Sequence, residues 1–341
     1  MPTQRSTSAR TFTRHIAPFA PLALALGMNA VPSNNTTASP PSESPSVVIN
    51  GINVATQECE DNITGFQQCH ENYPTGCSAA GKYDAYLNYL KNLTPAKDTG
   101  VNYLDQSAFD NLNTNTPADL GKNNNHATYQ SQLAEMGEGK QFGLVGYLYY
   151  FEKTGAESSN CELPGTDADG VNVDFHIGIG FDQSLTSQIN KSTPSKPAKQ
   201  LEQQAVIVEM TPHYRAQFHP DDWTLTSLKA ALGHKVRIVG QLLADSEHNK
   251  PSDNCALEGK TAHCWRYSIW ELHPVTSFEY CADDSCTEAS GNWIAIGGDS
   301  SASAGGGNSA EGTGETSSGT TRRPRSSTRT AEPRSGQAAQ P

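Results

Sequence analysis

Two short pairs of residues place a carboxylate and an imidazole two positions apart in segments with a β-strand pattern. Asp174 and His176 lie in VDFHIGIGF, and Glu271 and His273 lie in YSIWELHPV. Because side chains alternate across a strand, both members of each pair occupy one face and their apolar neighbours occupy the other. If the two strands are close, four groups suited to acid–base chemistry or metal binding meet on one surface.

Metal binding is one chemistry that these groups suit. Seven of the ten histidines lie between His176 and His273, and carboxylates accompany several of them. Imidazole and carboxylate ligands, with no thiolate required, are typical of zinc, manganese or iron sites. We therefore take His176, His248 and His273 as candidate metal ligands, with a divalent ion such as Zn or Mn as the candidate cofactor.

Further polar residues extend this candidate site. Asp174, Arg215 and Asp245 are candidate ligand-binding residues, and Arg215 can neutralise a phosphate or a carboxylate. Glu209 and Glu271 are candidate catalytic bases, because a metal-bound water needs a carboxylate to accept its proton. Glu209 ends an otherwise apolar strand, which predicts a buried and paired carboxylate.

Each pair also has a purely structural interpretation. Polar pairs on the outer face of a barrel commonly hydrogen-bond to each other. Pro274 follows His273 and indicates a bend or an edge, so a contact between Glu271 and His273 can serve to stabilise that corner. The remaining histidines of this region are interpreted as loop residues outside the site: His213, His219, His234 and His263.

The elements that must position these residues follow a recognisable order. Strands are predicted at 141–153, 171–182, 205–211, 235–245 and 267–280, with a helix at 221–233 that Asp221 or Asp222 can cap. The order β-β-β-α-β-β predicts a mainly β chain with minor α content and an OB-fold-like five-stranded barrel, with an SH3-like barrel as the alternative. In an OB fold, the loops between strands one and two and between strands four and five form part of the ligand-binding region. Alternate aromatic residues of the first strand are expected to fill the barrel, and the alternative is that aromatic residues of this region stack on bases or sugars: Tyr147, Tyr149, Tyr150, Phe151 and Trp265.

An irregular, helix-containing extension stapled by disulfides precedes the predicted barrel. KYDAYLNYLKNL (82–93) has helical spacing of its apolar residues, and a second helix at 128–137 ends at Gly137. The predicted domain outline is a signal peptide at 1–30, a disordered linker at 31–49, the extension at 50–140, the OB-like domain at 141–295 and a disordered tail at 296–341.

The N-terminus and the cysteines predict a secreted or periplasmic protein. Three arginines precede a short apolar run, as in a signal peptide, with a retained N-terminal anchor as the alternative and no membrane span in the mature chain. The eight cysteines form no C-x-x-C pair and are interpreted as disulfides. Cys281 and Cys286 can close a small loop, and Cys161 is expected to pair with Cys255 or Cys264.

Charge and missing motifs narrow the function classes. A formal net charge of −12 disfavours nucleic acid as a partner. The basic patch near the C-terminus lies in a Gly/Ser/Thr-rich stretch typical of solvated disorder. A G-x-S-x-G elbow is absent, and the phosphate-loop and dinucleotide fingerprints are absent in their required context. The sequence leaves the oligomeric state open.

Several segments resemble an uncharacterised family of exported bacterial proteins. They are HENYPTGCS, KYDAYLNYLKN, GYLYYFEKTGAESSNC, VDFHIGIG, VIVEMTPHYR, VGQLLADSEHN and WELHPV, within residues 59–281. A looser resemblance to other exported bacterial domains is limited to Asp-x-His, Asp-x-x-His and Glu-x-His-Pro. The resemblance implies export and an OB-like domain outline, but no activity and no catalytic residues.

Three functions remain as hypotheses. The first is an exported OB-like protein that binds a small polar ligand or a metal ion at the Asp/His/Glu surface. The second is a metal-dependent hydrolase, most plausibly of phosphodiesters, that uses the same residues. The third is a structural or envelope-interaction module, in which the polar pairs only brace the barrel.

Overall fold

The computed structural model describes the barrel and most of the extension. Its described residues are 47–49, 52–54, 56–60, 62–79, 81–94, 100–290 and 292–298. The predicted signal peptide and nearly all of the predicted linker and tail lie outside these residues. The last three residues of the predicted linker form strand β1 (Val47–Ile49), which pairs with β2 (Ile52–Val54).

The rest of the described chain contains seven further strands and seven α-helices. The strands are β3 (Asn102–Leu104), β4 (Gln141–Lys153), β5 (Phe175–Gly180), β6 (Val206–Met210), β7 (Lys235–Ala244), β8 (Trp270–Cys281) and β9 (Ile294–Ala295). The helices are α1 (Phe66–Asn72), α2 (Ala85–Lys91), α3 (Gln106–Asn115), α4 (Gln130–Met136), α5 (Lys199–Gln203), α6 (Pro212–Phe218) and α7 (Leu225–Ala231).

Five strands close into a barrel. They follow the order β4, β5, β6, β8, β7, and the ring closes because β4 pairs with both β5 and β7. Neighbours in the ring are antiparallel except β6 and β8, which are parallel. This strand order confirms the predicted OB-like fold, with α6 and α7 between its third and fourth strands. Outside the ring, β3 pairs with β4 and β9 pairs with β8.

The barrel interior is apolar and tightly filled. Strand β5 contributes Phe175, Ile177 and Ile179 to the main core, and β8 contributes Trp270 and Leu272, all of them fully buried. Burial of side chains of this size contributes roughly 1.5–3 kcal/mol each. Because these residues point inward, the residues that alternate with them face outward. Polar chemistry therefore lies on the outer face of the barrel.

The tyrosines of β4 do not fill the barrel. They pack outside it, beneath the segment that contains α5, with Leu185, Leu201, Ala205 and Ile207. The expectation is correct only for Phe151, which joins the main core. A register shift between Leu148 and Tyr150 interrupts the alternation, so Tyr149 and Tyr150 belong to the same outer cluster.

Helix α2 covers part of the outer face. It lies within the predicted helix 82–93, begins after the side-chain cap of Asp84, and all seven of its residues are buried. Its apolar residues pack against Leu243 of β7. The side-chain amide of Gln241 donates to the carbonyl oxygens of Leu90 (2.8 Å) and His273 (2.9 Å). The extension thus buries outward-facing residues of the barrel.

The disulfides connect the extension to the barrel differently from the prediction. The bridges are Cys59–Cys77, Cys69–Cys161, Cys255–Cys264 and Cys281–Cys286. The predicted small loop between Cys281 and Cys286 is confirmed. The predicted bridge from Cys161 to Cys255 or Cys264 is wrong, because the latter two close their own loop and Cys161 reaches helix α1.

Two helix ends test the capping predictions. Helix α4 stops at Gly137, which has a left-handed φ of 113°, as predicted. Helix α7 is shorter than the predicted 221–233, and Thr224 rather than Asp221 or Asp222 caps it. The carboxylate of Asp222 is occupied instead by His219 Nδ1 at 3.0 Å.

Candidate metal centre

Strand register brings the predicted residues into one row. Strand β6 lies between β5 and β8, and its Glu209 is the register partner of His176 on β5. On the other side, Val208 of β6 pairs with Leu272 of β8 in a parallel ladder. Glu209 and His273 are the next residues on these two strands, so both lie on the outer face. Glu209 therefore occupies the middle of a polar row that crosses three strands.

The Glu209 carboxylate lies between two imidazoles. Its Oε1 is 2.8 Å from His176 Nε2, and its Oε2 is 3.4 Å from His273 Nδ1. Neither oxygen has a hydrogen-bond partner among the described residues, although the side chain is only 1% exposed. Burial raises the pKa of Glu209 well above its usual value, against the opposing effect of His273. The two imidazoles are therefore the ion-pair partners of this buried carboxylate, and its hydrogen-bonding capacity is unused in the described structure.

The Glu271–His273 pair is completely buried. Nδ1 of His273 donates to Glu271 Oε1 at 3.0 Å, whereas its Nε2 has no partner in the described chain. Burial lowers the pKa of His273, but Glu209 and Glu271 outweigh this effect and raise that pKa to about 9. A carboxylate that holds one ring nitrogen and leaves the other open is the usual support of a metal-binding histidine.

Asp174, just before β5, presents a similar open atom. Its Oδ2 accepts a hydrogen bond from Asn160 Nδ2 at 2.9 Å, and its Oδ1 lacks a partner in the described structure. The residue is 1% exposed, and burial raises its pKa to about 6. Asp174 thus adds a second buried carboxylate with unused coordination capacity.

Among the described residues, three overlapping groups of side chains have the spacing of metal ligands. In each group, one ligand atom per residue lies within 4.8 Å of the others. The groups are Asp174–Glu209–His273, Glu157–His176–Glu209 and Glu209–Asp245–Glu271. A fourth, Cys281–Asp283–Cys286, is unsuited to a metal because its sulfurs form a disulfide. Glu209 belongs to all three usable groups and is the centre of the cluster.

Buried cations neutralise the Asp245 and Glu271 side of the cluster. Arg266 is inaccessible to solvent, and its guanidinium contacts Glu271 Oε2 and, at 3.3 Å, Asp245 Oδ2. Lys91 Nζ lies 3.7 Å from Asp245 and 3.9 Å from Glu157. Burial raises the pKa of Asp245, but Lys91 and other cations outweigh it and hold that pKa well below its usual value. These two carboxylates are therefore charge-compensated by Arg266 and Lys91, whereas the ion-pair partners of Glu209 are the two imidazoles of His176 and His273.

A cleft of about 630 Å³ adjoins the cluster. The loop between β4 and β5 and the loop between β7 and β8 both contribute to it, as expected for an OB fold. Its lining includes Lys91, Glu152, Glu157, His176, Glu202, Asp245, Glu247, His248 and Trp265. Carboxylates outnumber the fixed cations of this lining, so the cleft favours a cation or a ligand that binds through one.

His248 lies on the cleft but not in the metal-ligand groups of the described residues. Its Nδ1 is 2.7 Å from Asp253 and its Nε2 is 3.7 Å from Asp245. Trp265 stacks with His176, with ring centroids 6.2 Å apart, and meets His248 edge to face at 4.9 Å. The structure thus places His248 beside the centre, where it can contact a ligand in the cleft.

Arg215 has a different position from the one predicted. Its guanidinium donates to the carbonyl oxygens of Gly170 (2.9 Å) and Val173, and it stacks on the Phe175 ring. Burial lowers its pKa to about 10. It is not among the residues that line the cleft. Its contacts hold the turn that leads to Asp174, so we place it outside the ligand-binding surface.

Several residues of the centre were missed by sequence reasoning. Lys91 had no distinctive signal, because the amphipathic segment 82–93 contains other polar residues such as Asp84 and Asn88. Arg266, next to Trp265 before β8, had none either. Glu157 and Asn160 lie in a loop of ordinary polar composition, and local sequence gives no reason to choose them. They join the site only because the Cys69–Cys161 bridge and helix α2 flank this loop.

Comparisons with protein-family models, with curated proteins and with solved structures found no match for this chain. Within the described residues, no helix has the length and apolar character needed to cross a membrane. The disulfides are consistent with the predicted oxidising compartment. The function of the protein is therefore inferred from the geometry of the centre.

Proposed function

We propose that this exported OB-like protein binds a divalent metal ion through Asp174, Glu209 and His273. The supporting observation is that each of these buried side chains has a ligand atom without a hydrogen-bond partner in the described structure. One ligand atom from each lies within 4.8 Å of the others. Two carboxylates and one imidazole suit Zn²⁺ or Mn²⁺.

An ion resolves the electrostatic problem of this surface. Two adjacent carboxylates removed from water are unfavourable unless a positive charge compensates them. Lys91 and Arg266 compensate Asp245, and Arg266 also compensates Glu271, but neither is in an ion pair with Asp174 or Glu209. The raised pKa of His273 makes its imidazole, 3.4 Å from Glu209, a cationic partner, so a divalent ion that binds here displaces the His273 proton and takes over its charge.

The direct test is metal analysis of the full chain purified without a histidine tag from its exported compartment. We expect stoichiometric Zn or Mn, and calorimetric binding of Zn²⁺ or Mn²⁺ after chelation. Glu209→Gln keeps the side-chain volume and should abolish this binding. Glu258→Gln, at an exposed loop position, is the matched control and should leave it unchanged. Absence of binding by the unaltered chain would overturn the proposal.

The cleft favours metal-dependent hydrolysis as a second candidate, with a phosphodiester as substrate. Glu152 lines the cleft, is the register partner of His176, and has a pKa raised by burial. In the candidate reaction, Glu152 takes a proton from water while the oxygen forms a bond to phosphorus. The bond from phosphorus to the leaving oxygen breaks, and that oxygen receives the proton. We assign the general base to Glu152 rather than to Glu271, because Arg266 and His273 already contact the Glu271 carboxylate.

The hydrolase candidate predicts release of p-nitrophenol from bis(p-nitrophenyl) phosphate by the Mn²⁺-loaded protein. Glu152→Gln should lower kcat by roughly 10²–10⁴-fold, as expected for loss of a general base, without loss of bound metal. Glu202→Gln, on the same cleft, is the control. Metal binding without turnover would favour the binding protein, and absence of both would favour the structural module.

A further inference from the structure

The centre has a second set of ligands that faces the cleft. Glu157, His176 and Glu209 each offer one ligand atom, and these atoms lie within 4.8 Å of one another. We infer that this set is a second divalent-cation site and that Glu209 bridges two ions, one buried and one at the cleft. This inference rests on the proposed function, because it shares Glu209 with the buried site.

The orientation of Glu209 supports a bridging role. Its two oxygens face different imidazoles, His176 at 2.8 Å and His273 at 3.4 Å. Both oxygens are buried and without hydrogen-bond partners in the described residues. In two-metal sites the ions lie about 3.5–4 Å apart, a separation that one carboxylate can span.

The two sites differ in access. Glu157 and His176 line the cleft, whereas the buried site's Asp174 and His273 do not. The His176 side chain is 17% exposed, and that of His273 is inaccessible. An ion held by Glu157, His176 and Glu209 therefore keeps coordination positions open toward the cleft, as a catalytic metal does. The buried ion, by contrast, is enclosed by protein.

The charges around the cleft agree with a weakly held outer ion. Lys91 lies 3.9 Å from Glu157, where it competes with a metal for that carboxylate. The acidic lining, which includes Glu152, Glu202 and Glu247, attracts cations into the cleft. The outer ion should therefore exchange faster and bind more weakly than the buried one.

The test is a Mn²⁺ titration of the full chain after chelation, followed by ion counting and electron paramagnetic resonance. We expect two ions per chain and a spin-coupled spectrum at saturation. His176→Ala and Glu157→Gln should each bind one ion and show the six-line spectrum of isolated Mn²⁺. His263→Ala is the matched control, since His263 is an exposed loop histidine outside the cleft and the ligand groups of the described chain. It should retain two ions.

The outcomes separate this inference from the function on which it rests. No bound ion would overturn both. One ion in the unaltered chain would overturn the second site and leave the buried site intact. Two ions that persist in His176→Ala would overturn the ligand assignment. Circular dichroism and thermal unfolding of each variant distinguish a lost ion from a lost fold, and the conservative Glu157→Gln change provides an independent route to the same answer.

Discussion

The two acid-x-histidine pairs have the same spacing, but the structure gives them different surroundings. On β8, Glu271 and His273 contact each other, and Arg266 occupies the rest of the Glu271 carboxylate. At β5, Asp174 contacts Asn160, while His176 contacts Glu209 and lines the cleft. Glu271 and His273 therefore form one buried, hydrogen-bonded pair, whereas Asp174 is buried away from the cleft and His176 lines it. The spacing of each pair therefore places its two residues on one face of the barrel. The elements that pack over that face determine what each residue contacts.

The β5 side should depend most on the long disulfide. Cys69–Cys161 spans 92 residues and anchors the loop that carries Glu157 and Asn160, whereas Cys255–Cys264 spans 9. In the loop-entropy model, replacement of both cysteines by serine should cost about 4–5 kcal/mol for the first bridge and about 2–3 kcal/mol for the second. Urea unfolding of the two double variants measures the difference. Equal losses would contradict this dependence.

The β8 side should depend most on Arg266. Arg266→Met leaves Glu271 and Asp245 buried without this partner, and breaking a buried charge pair costs about 3–5 kcal/mol. Arg237→Met is the control, because its ion pair with Glu279 is partly exposed and should contribute about 0–1 kcal/mol. The free energy of unfolding of the two variants should therefore differ severalfold, and similar values would show that the buried network is not a stabilising unit.

Glu271 should influence the metal without binding it directly in the buried site. Glu271→Gln weakens the support of His273 and should reduce Mn²⁺ affinity about 10- to 100-fold, as for other carboxylates that orient metal-binding histidines. Glu138→Gln is the control, since Glu138 contacts His126 in the same manner away from the three ligand groups. Calorimetry measures both affinities. An unchanged affinity in Glu271→Gln would remove the supporting role assigned to this residue.

The smallest effect should come from the His126–Glu138 contact. Burial lowers the pKa of His126, but Glu138 outweighs it and raises that pKa above the value in the unfolded chain. The contact therefore stabilises the fold fully below about pH 6.5, and this contribution declines as pH rises through the folded pKa. For one group the slope is at most about 1.4 kcal/mol per pH unit. Metal-free protein and its Glu138→Gln variant, unfolded in urea from pH 6 upward, should converge in stability.

Sequence patterns predicted the parts of the site that depend on strand alternation. Asp174 with His176, and Glu271 with His273, share the outer face because the apolar residues between and beside them face the core. The strand order predicted that both pairs lie in one barrel. It did not predict that Glu209 is central, because that position follows from the pairing of β6 with both β5 and β8.

The other incorrect predictions concern features that depend on contacts outside the local sequence. The partner of Cys161 is 92 positions away, and eight cysteines allow many pairings. The cap of α7 moved from Asp221 or Asp222 to Thr224 because Asp222 instead contacts His219. Tyr150 joins Tyr149 outside the barrel, and Phe151 enters the core, because of a register shift that their own pattern does not show.

By itself, the sequence determined the barrel and the face on which the chemistry lies, since both follow from local alternation and the order of elements. Only the tertiary structure decided which of those outward residues are buried. Contacts such as Gln241 with Leu90, 151 positions apart, bring α2 over the face. Lys91 comes with that helix, while Glu157 comes with the loop that Cys161 ties to α1. Burial then leaves Asp174, Glu209 and His273 each with a polar atom that has no hydrogen-bond partner in the part of the chain that the structure describes.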